Sequence, residues 1–237
     1  MLALAGCGGR GEPEVRPEPM TELARARAMV RRGQYGKALP VFQRLTFEFG
    51  PSQPEAAESR YLLGECFFQS GDQANAIQEF RRAADTYPDS PWAPLALLRA
   101  GDANLRMWKR PELDPSYGEA ALAVYQELVG RYPGSEAAVR AGLHVRELKD
   151  RFAEKTYKNG MFYFKRRAYD SAIIYFKEII ASYPEAARVP DALLRLVDIY
   201  RAILYVEELE ETCAHLRRYY PMTPGIAERC PAPAGDS

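Results

Sequence analysis

The sequence predicts an all-α chain assembled from five helix pairs, and three observations predict it. Ala, Leu, Arg and Glu dominate the composition while β-branched residues are scarce, which favours helices over sheets. Four Tyr-Pro pairs, Tyr87-Pro88, Tyr132-Pro133, Tyr183-Pro184 and Tyr220-Pro221, each close an apolar-periodic segment, as a proline just past the last periodic residue should. Upstream of them a small residue precedes an aromatic one by four positions: Ala76 and Phe80, Ala121 and Tyr125, Ala172 and Phe176. Ala38 and Phe42 form an earlier copy that ends at Phe49-Gly50-Pro51, and Leu209 and Cys213 a degenerate last one. A small residue and a ring at i and i+4 share one helix face, where the small residue admits a neighbouring helix and the ring fills the groove beside it.

Taken in order, the chain opens Met1-Leu2-Ala3-Leu4-Ala5-Gly6-Cys7, and Leu4-Ala5-Gly6-Cys7 resembles a bacterial lipobox, the signal after which the cysteine is acylated. Residues 1–6 then read as the remnant of a lipoprotein signal peptide, shorter than a secretory signal needs, so an in-frame basic and apolar extension upstream of Met1 is expected. Residues 7–19 are rich in Gly, Pro, Glu and Arg and read as a flexible tether. Residues 20–134 hold repeats one to three. Within them Gly33-Gln34-Tyr35-Gly36 and Gly71-Asp72 mark the turns that join the helices of a pair, and Gly64 followed by Phe67 marks a close-contact first helix. Lys109 to Pro115 form an insertion in repeat three, whose two prolines break the helix. Residues 135–221 hold repeats four and five. Repeat four opens on a proline-free stretch from Ser135 to Lys165, one helix of about eight turns, and joins its second helix through Arg167-Ala168-Tyr169-Asp170. Residues 222–237 read as a flexible tail. This layout resembles the tetratricopeptide repeat, helix pairs of about 34 residues that stack into a solenoid. The anchors Ala38, Ala76, Ala121, Ala172 and Leu209 are 38, 45, 51 and 37 residues apart, so the excess over that period accumulates in mid-chain.

The lipobox, the tether, the insertion in the third pair and the overlong first helix of the fourth together resemble the BamD (YfiO/ComL) family of outer-membrane lipoproteins. The segments that carry the resemblance are Asp114-Pro115-Ser116-Tyr117, Tyr125-Gln126-Glu127-Leu128-Val129, Arg131 to Glu136, Leu148 to Glu154 and Tyr163 through Tyr169. The resemblance implies a scaffold subunit of the β-barrel assembly machinery. It would be anchored in the outer membrane by lipid on Cys7, face the periplasm, and bind a BamA-like barrel protein, unfolded outer-membrane protein clients and other lipoproteins of that machinery. Tyr175 stands where some relatives carry an arginine that pairs with the barrel partner, so that contact does not carry over. The second repeat, Tyr61 to Phe68, equally resembles a periplasmic adaptor of the Tol-Pal system (CpoB/YbgF-like), which is the alternative reading.

In a stack of helix pairs the first helices of the early repeats line the concave face, which can hold an extended peptide. With Ala26, Gly64 and Gly101 as close-contact positions, the lining residues are Leu23, Arg27, Val30 and Arg31, then Tyr61, Glu65, Phe68 and Gln69, then Leu98, Asp102, Leu105 and Arg106. Such a mixture of apolar, aromatic and Arg side chains suits a client with aromatic residues and a free carboxylate, as the C-terminal signal of an unfolded outer-membrane protein offers. The family resemblance implies a second surface near repeats four and five that docks BamA, with Lys165, Arg166, Arg167, Tyr169 and Arg195 as candidates.

Composition narrows the remaining classes. Lys and Arg total 32 against 32 Asp and Glu, which leaves no field to recruit nucleic acid. Two histidines, His144 and His215, stand on separate helices without metal-ligand spacing, and no nucleophile elbow or phosphate loop occurs, so neither an enzyme nor a metal or cofactor beyond the lipid on Cys7 is expected. Cys66 falls on the first helix of repeat two and is expected to be buried, whereas Cys213 and Cys230 are free to pair in an oxidising compartment.

Overall fold

In a computed structural model, which describes residues 18–109 and 114–230, those residues are helical and contain no strand. The lipobox with Cys7 and the tether up to residue 17 lie outside the described residues, as do 110–113 of the insertion and 231–237. The helices are α1 (Pro19–Arg31), α2 (Tyr35–Glu48), α3 (Pro54–Gln69), α4 (Gln73–Thr86), α5 (Trp92–Met107), α6 (Ser116–Arg131), α7 (Glu136–Lys165), α8 (Tyr169–Ser182), α9 (Val189–Ala202), α10 (Val206–Tyr219) and the single turn α11 (Ile226–Arg229).

Helix boundaries follow from local chemistry. Proline opens α1 and α3 and stands in the first turn of α9, where its missing N–H costs nothing. The Asp72 carboxylate accepts from Asn75 N at 3.2 Å to cap α4, and the Ser135 hydroxyl accepts from Ala138 N at 3.1 Å to cap α7. The Tyr-Pro pairs act as stops: the proline ring excludes the α conformation for the preceding tyrosine. Tyr87, Tyr132, Tyr183 and Tyr220 accordingly adopt φ between −128° and −134° at the ends of α4, α6, α8 and α10.

The chain forms two compact units, Met1–Met107 and Trp108–Ser237. The division falls within repeat three, earlier than the break after residue 134 read from the repeats. In the first unit α1 to α5 pack each on the next, and α3 also meets α5. In the second, α6 to α10 do the same, α7 also meets α9, and α11 rests on α9 and α10. Ala38, Phe42, Ala76, Phe80, Ala121, Tyr125, Ala172 and Phe176 are all at 0% exposure. At about 1.5–3 kcal/mol for each fully buried large apolar side chain, these anchors supply the core. Close approach needs glycine beneath two of the rings. A β-carbon on Gly64 would lie 2.7 Å from Phe80, and one on Gly160 would lie 2.7 Å from Phe176.

The Ser135–Lys165 stretch is one helix of 30 residues, α7, about 45 Å long. Trp108 stacks on Phe152 of α7 at 5.4 Å and donates from its indole to Asp114 O at 2.9 Å. It also fills the space over Gly118, where a β-carbon would come within 2.7 Å.

The C-terminal stretch departs from expectation. Instead of starting a loose tail at 222, the chain is held as far as Cys230, which forms a disulfide with Cys213 of α10. Ile226 is buried at 9%, Arg229 donates to Asp198 at 3.1 Å, and Arg201 donates to Arg229 O. A short hydrophobic anchor and a covalent clip order a segment that composition alone marks as loop.

Candidate functional site

In the first unit α3 and α5 bring five of the predicted lining residues together: Tyr61, Glu65, Phe68, Asp102 and Arg106. They are organised by two residues that the sequence reading missed, Trp92 and Arg99. The Phe68 ring is clamped between guanidiniums, with Arg99 Cζ at 3.8 Å and Arg106 Cζ at 3.6 Å from its centroid. Arg99 donates through Nη2 to Glu65 at 2.9 Å and through Nη1 to Asp102 at 3.0 Å. Burial by itself would lower the Arg99 pKa, but its bonds and charge pairing with Glu65, then Asp102, outweigh that and hold it above its ordinary value. Arg106 stays exposed and donates to the Phe68 carbonyl at 3.2 Å. The Tyr61 ring lies 5.7 Å from Phe80 and 5.0 Å from Trp92, and burial, followed by the Glu65 charge, raises its phenol.

The other predicted lining residues divide. Leu23 at 0% and Leu98 at 1% exposure belong to the helix packing and line no groove, because the small-residue register that marks close contact also turns these neighbours inward. Phe68, at 2%, is covered by its two arginines. Val30 packs half-buried on the core, and Leu105 is half-buried. Arg31 and Gln69 are exposed. Arg27 is committed to Glu58 of α3 through a two-pronged pair, its Nε donating at 2.6 Å, and that bond raises its pKa.

Arg99 has a sequence signature. It lies 34 residues after its partner Glu65, and in the second unit Arg188 lies 34 residues after its partner Glu154. Each arginine also pairs with an aspartate three residues on, Asp102 and Asp191. A basic position one repeat period after an acidic one joins successive first helices, and that search would have found both. The bond from Arg188, ahead of the opposing effect of desolvation, leaves the Glu154 carboxyl below its usual range.

In the second unit, the turn between α7 and α8 carries Lys165, Arg166 and Arg167, all exposed, followed by half-buried Tyr169. Arg166 lies over the Phe162 ring at 3.5 Å and donates to Phe162 O at 3.1 Å. Arg195, on α9, reaches the same neighbourhood: its guanidinium is 5.6 Å from the Phe164 ring, which meets Tyr169 at 6.3 Å. It also donates to Asp198 at 2.8 Å and to the Tyr157 hydroxyl at 3.4 Å. Phe164 thus joins Tyr169 to Arg195, while the basic turn projects beyond them. Tyr175 stacks on Tyr163 at 5.4 Å. Elsewhere in this unit a cavity of about 800 Å³ runs along α7, floored by Trp108 and Phe152 and edged by the Arg151–Glu147 and Arg188–Glu154 pairs.

Comparison with known proteins gives one family and a set of relatives. The model of the family YfiO, outer membrane lipoprotein, matches residues 18–216. A protein of Caulobacter vibrioides named outer membrane protein assembly factor BamD is 28% identical over 92% of this chain and 73% of its own length. Proteins of the same name from Vibrio cholerae (26% identity, 90% of this chain and 93% of theirs) and Rickettsia prowazekii (27%, 93% and 88%) are similar to it as well. Among solved structures, the tetratricopeptide domain of P58(IPK) aligns with a TM-score of 0.45 at 14% identity, over 86% of this chain and 51% of that one. The TPR2AB domain of yeast Sti1 aligns with a TM-score of 0.47 at 14% identity, over 89% and 81%.

Proposed function

This chain belongs to the YfiO family of outer membrane lipoproteins, and from that premise we propose that it is a scaffold subunit of outer-membrane protein assembly. It receives unfolded clients on its first unit and docks a BamA-like barrel protein through its second. Lipid on Cys7 holds it at the periplasmic face of the outer membrane, and other lipoproteins of the same machinery attach to it. No helix among the described residues is long and apolar enough to cross a membrane.

The observation that carries the client reading is the Phe68 clamp. It sets an exposed guanidinium, Arg106, at a fixed place over the Phe68 ring, with half-buried Leu105 next to it in α5 and half-buried Tyr61 two turns back along α3 from Phe68. A planar cation held over a ring has lost rotamer freedom before any ligand arrives, so it offers a carboxylate two parallel N–H donors at reduced entropic cost. The half-buried Tyr61 supplies apolar surface for an aromatic residue upstream of that carboxylate. For docking, the exposed turn Lys165–Arg167 beside Tyr169 and Arg195 provides a basic rim around an aromatic centre.

The test uses the full chain and a fluorescein-labelled ten-residue peptide with alternating aromatic residues and a terminal Phe, as free acid and as C-terminal amide. The acid is expected to bind more tightly by about 1.5–3 kcal/mol, the worth of a hydrogen bond to a charged group, and Arg106→Glu should erase the difference. Equal binding of acid and amide would refute the client assignment.

A further inference from the structure

The first unit covers its large apolar side chains with two exceptions. Among its described residues Met20, at 51% exposure, and Phe47, at 88%, are the exposed large hydrophobic ones. Both stand at one end of the first helix pair. α1 and α2 pack on each other across the short turn at residues 32–34, so the start of α1 lies beside the close of α2, and the Arg44–Glu22 ion pair fixes that neighbourhood. Met20 is the second residue of α1 and Phe47 the last but one of α2. Phe42, Leu45 and Phe49 take the inward face around the close of α2, so Phe47 contributes nothing to the core.

The surroundings of Phe47 are short of free charge. The connection that follows, Phe49-Gly50-Pro51-Ser52-Gln53, and Pro54 at the start of α3 carry no ionisable side chain. Residues 51–54 are exposed, and Gln53 folds the connection back by accepting from Gly50 N at 2.7 Å. Of the neighbouring carboxylates, Glu22 and Glu48 both pair with Arg44, whereas Glu18 is exposed. This is also the end at which residue 18 joins the preceding chain. Cys7 stands eleven residues before Glu18, a span of at most about 40 Å. A lipid on Cys7 keeps this end of the first unit within that distance of the bilayer. Tethering of this kind populates a contact too weak to recruit a free protein.

We propose that Phe47, with Met20 and the uncharged 49–54 connection around it, enters the headgroup boundary of the leaflet that holds the acyl chains, so that the first unit stands on the membrane by its tether end. This rests on the lipid-anchor reading given above. Interfacial segments seat Trp, Phe and Leu side chains about 5–10 Å into the boundary of headgroups and acyl chains. Glu18 adds no attraction to anionic headgroups, so the contact is apolar and indifferent to surface charge.

The test reconstitutes the full chain, acylated at Cys7, into phosphatidylethanolamine/phosphatidylglycerol vesicles doped with dibrominated phosphatidylcholine, which quenches tryptophan at membrane depth. Phe47→Trp is compared with Lys37→Trp, an exposed site at the other end of α2, and with wild type, whose Trp92 and Trp108 set the background. The emission added by Phe47→Trp should shift to the blue and lose more than half its intensity to the brominated lipid, and that added by Lys37→Trp should do neither. Mass spectrometry of Cys7 separates the two readings. An acylated chain whose Phe47→Trp emission escapes quenching overturns this inference and leaves the anchor standing, whereas an unacylated Cys7 overturns both. Equal quenching at the two sites overturns it, since no end of the unit is then selected. Quenching that disappears when phosphatidylcholine replaces phosphatidylglycerol makes the contact electrostatic and overturns it too. So does blue-shifted emission from Phe47→Trp combined with Cys7→Ser in buffer before any vesicle is added, which would seat the side chain against protein, a second copy included.

Discussion

Glycine plays opposite roles at neighbouring points of the same fold. At Gly64 the absent side chain is occupied by the Phe80 ring, and a β-carbon would sit 2.7 Å from two of its atoms. Gly142, about two turns into α7, has nothing within 4 Å of the position a β-carbon would take. The physics assigns the two alanine substitutions opposite signs. At Gly64 the methyl forces a buried ring at 0% exposure to move, and overpacking of that kind costs about 1–3 kcal/mol, more than the roughly 1 kcal/mol of helix propensity gained. At Gly142 only the propensity gain remains. Urea unfolding followed by helical circular dichroism should therefore place Gly64→Ala below wild type by up to about 2 kcal/mol and Gly142→Ala above it by up to about 1 kcal/mol. A stabilised Gly64→Ala would mean that the Phe80 ring has room to retreat and that the close-contact reading of this position is wrong.

Helices were the most legible level, because each leaves several independent marks. The alanine and aromatic anchors, the tyrosine before each proline and the serine that caps α7 all point to the same boundaries, and the long α7 is uninterrupted from Glu136 to Lys165. What the sequence concealed are the contacts that no helical period encodes. Trp108 stands between the end of α5 and the insertion, where no helical period applies, yet it becomes the plug over Gly118 and Phe152. Leu23 and Leu98 each stand three residues before a close-contact position, Ala26 and Gly101, and so share its inward-facing side of the helix. Arg99 escapes a reading made helix by helix, because its partner Glu65 lies 34 residues away, one repeat period and not one helical turn. The C-terminal turn α11 is the same kind of case: four residues cannot make a stable helix alone, and the Cys213–Cys230 bond, separated by 17 residues, holds it in place. Closing a loop of that size stabilises by about 3 kcal/mol. Reduction under native conditions, or a Cys213→Ser, Cys230→Ser double variant, should lower stability by about that amount. Hydrogen exchange should then accelerate at Arg229 and Cys230, whose amides donate at 3.2 and 2.8 Å in this turn, and leave α3 to α5 unchanged. Unchanged protection at those two amides would show that Ile226 alone suffices.

At the scale of the whole chain, repeat arrays draw stability from each helix pair and its nearest neighbours, so where the chain is cut decides what survives. Two cuts compete. The repeat pattern suggests dividing after residue 134, between the third pair and the fourth, whereas the compact units divide at Met107. The difference is α6 with Trp108. In the second unit α6 packs on α7, placing Tyr125 against His144 at 4.9 Å and burying Tyr125 and Leu128 at 0% exposure. Trp108 covers Phe152 from the same side of the cut. A fragment starting at 135 loses all of this, and ending it at 221 also removes Cys230 and Ile226. Two or three large side chains at about 1.5–3 kcal/mol each, together with the lost disulfide, approach the whole stability of a unit this size. Residues 108–230 expressed alone should therefore unfold in one cooperative urea transition, as should residues 18–107, whereas residues 135–221 should be partly unfolded before denaturant is added. Circular dichroism and near-ultraviolet aromatic signals on the three fragments decide it. If 135–221 proves as stable and cooperative as 108–230, α6 and Trp108 are passengers, and the fourth and fifth pairs form the folding unit by themselves.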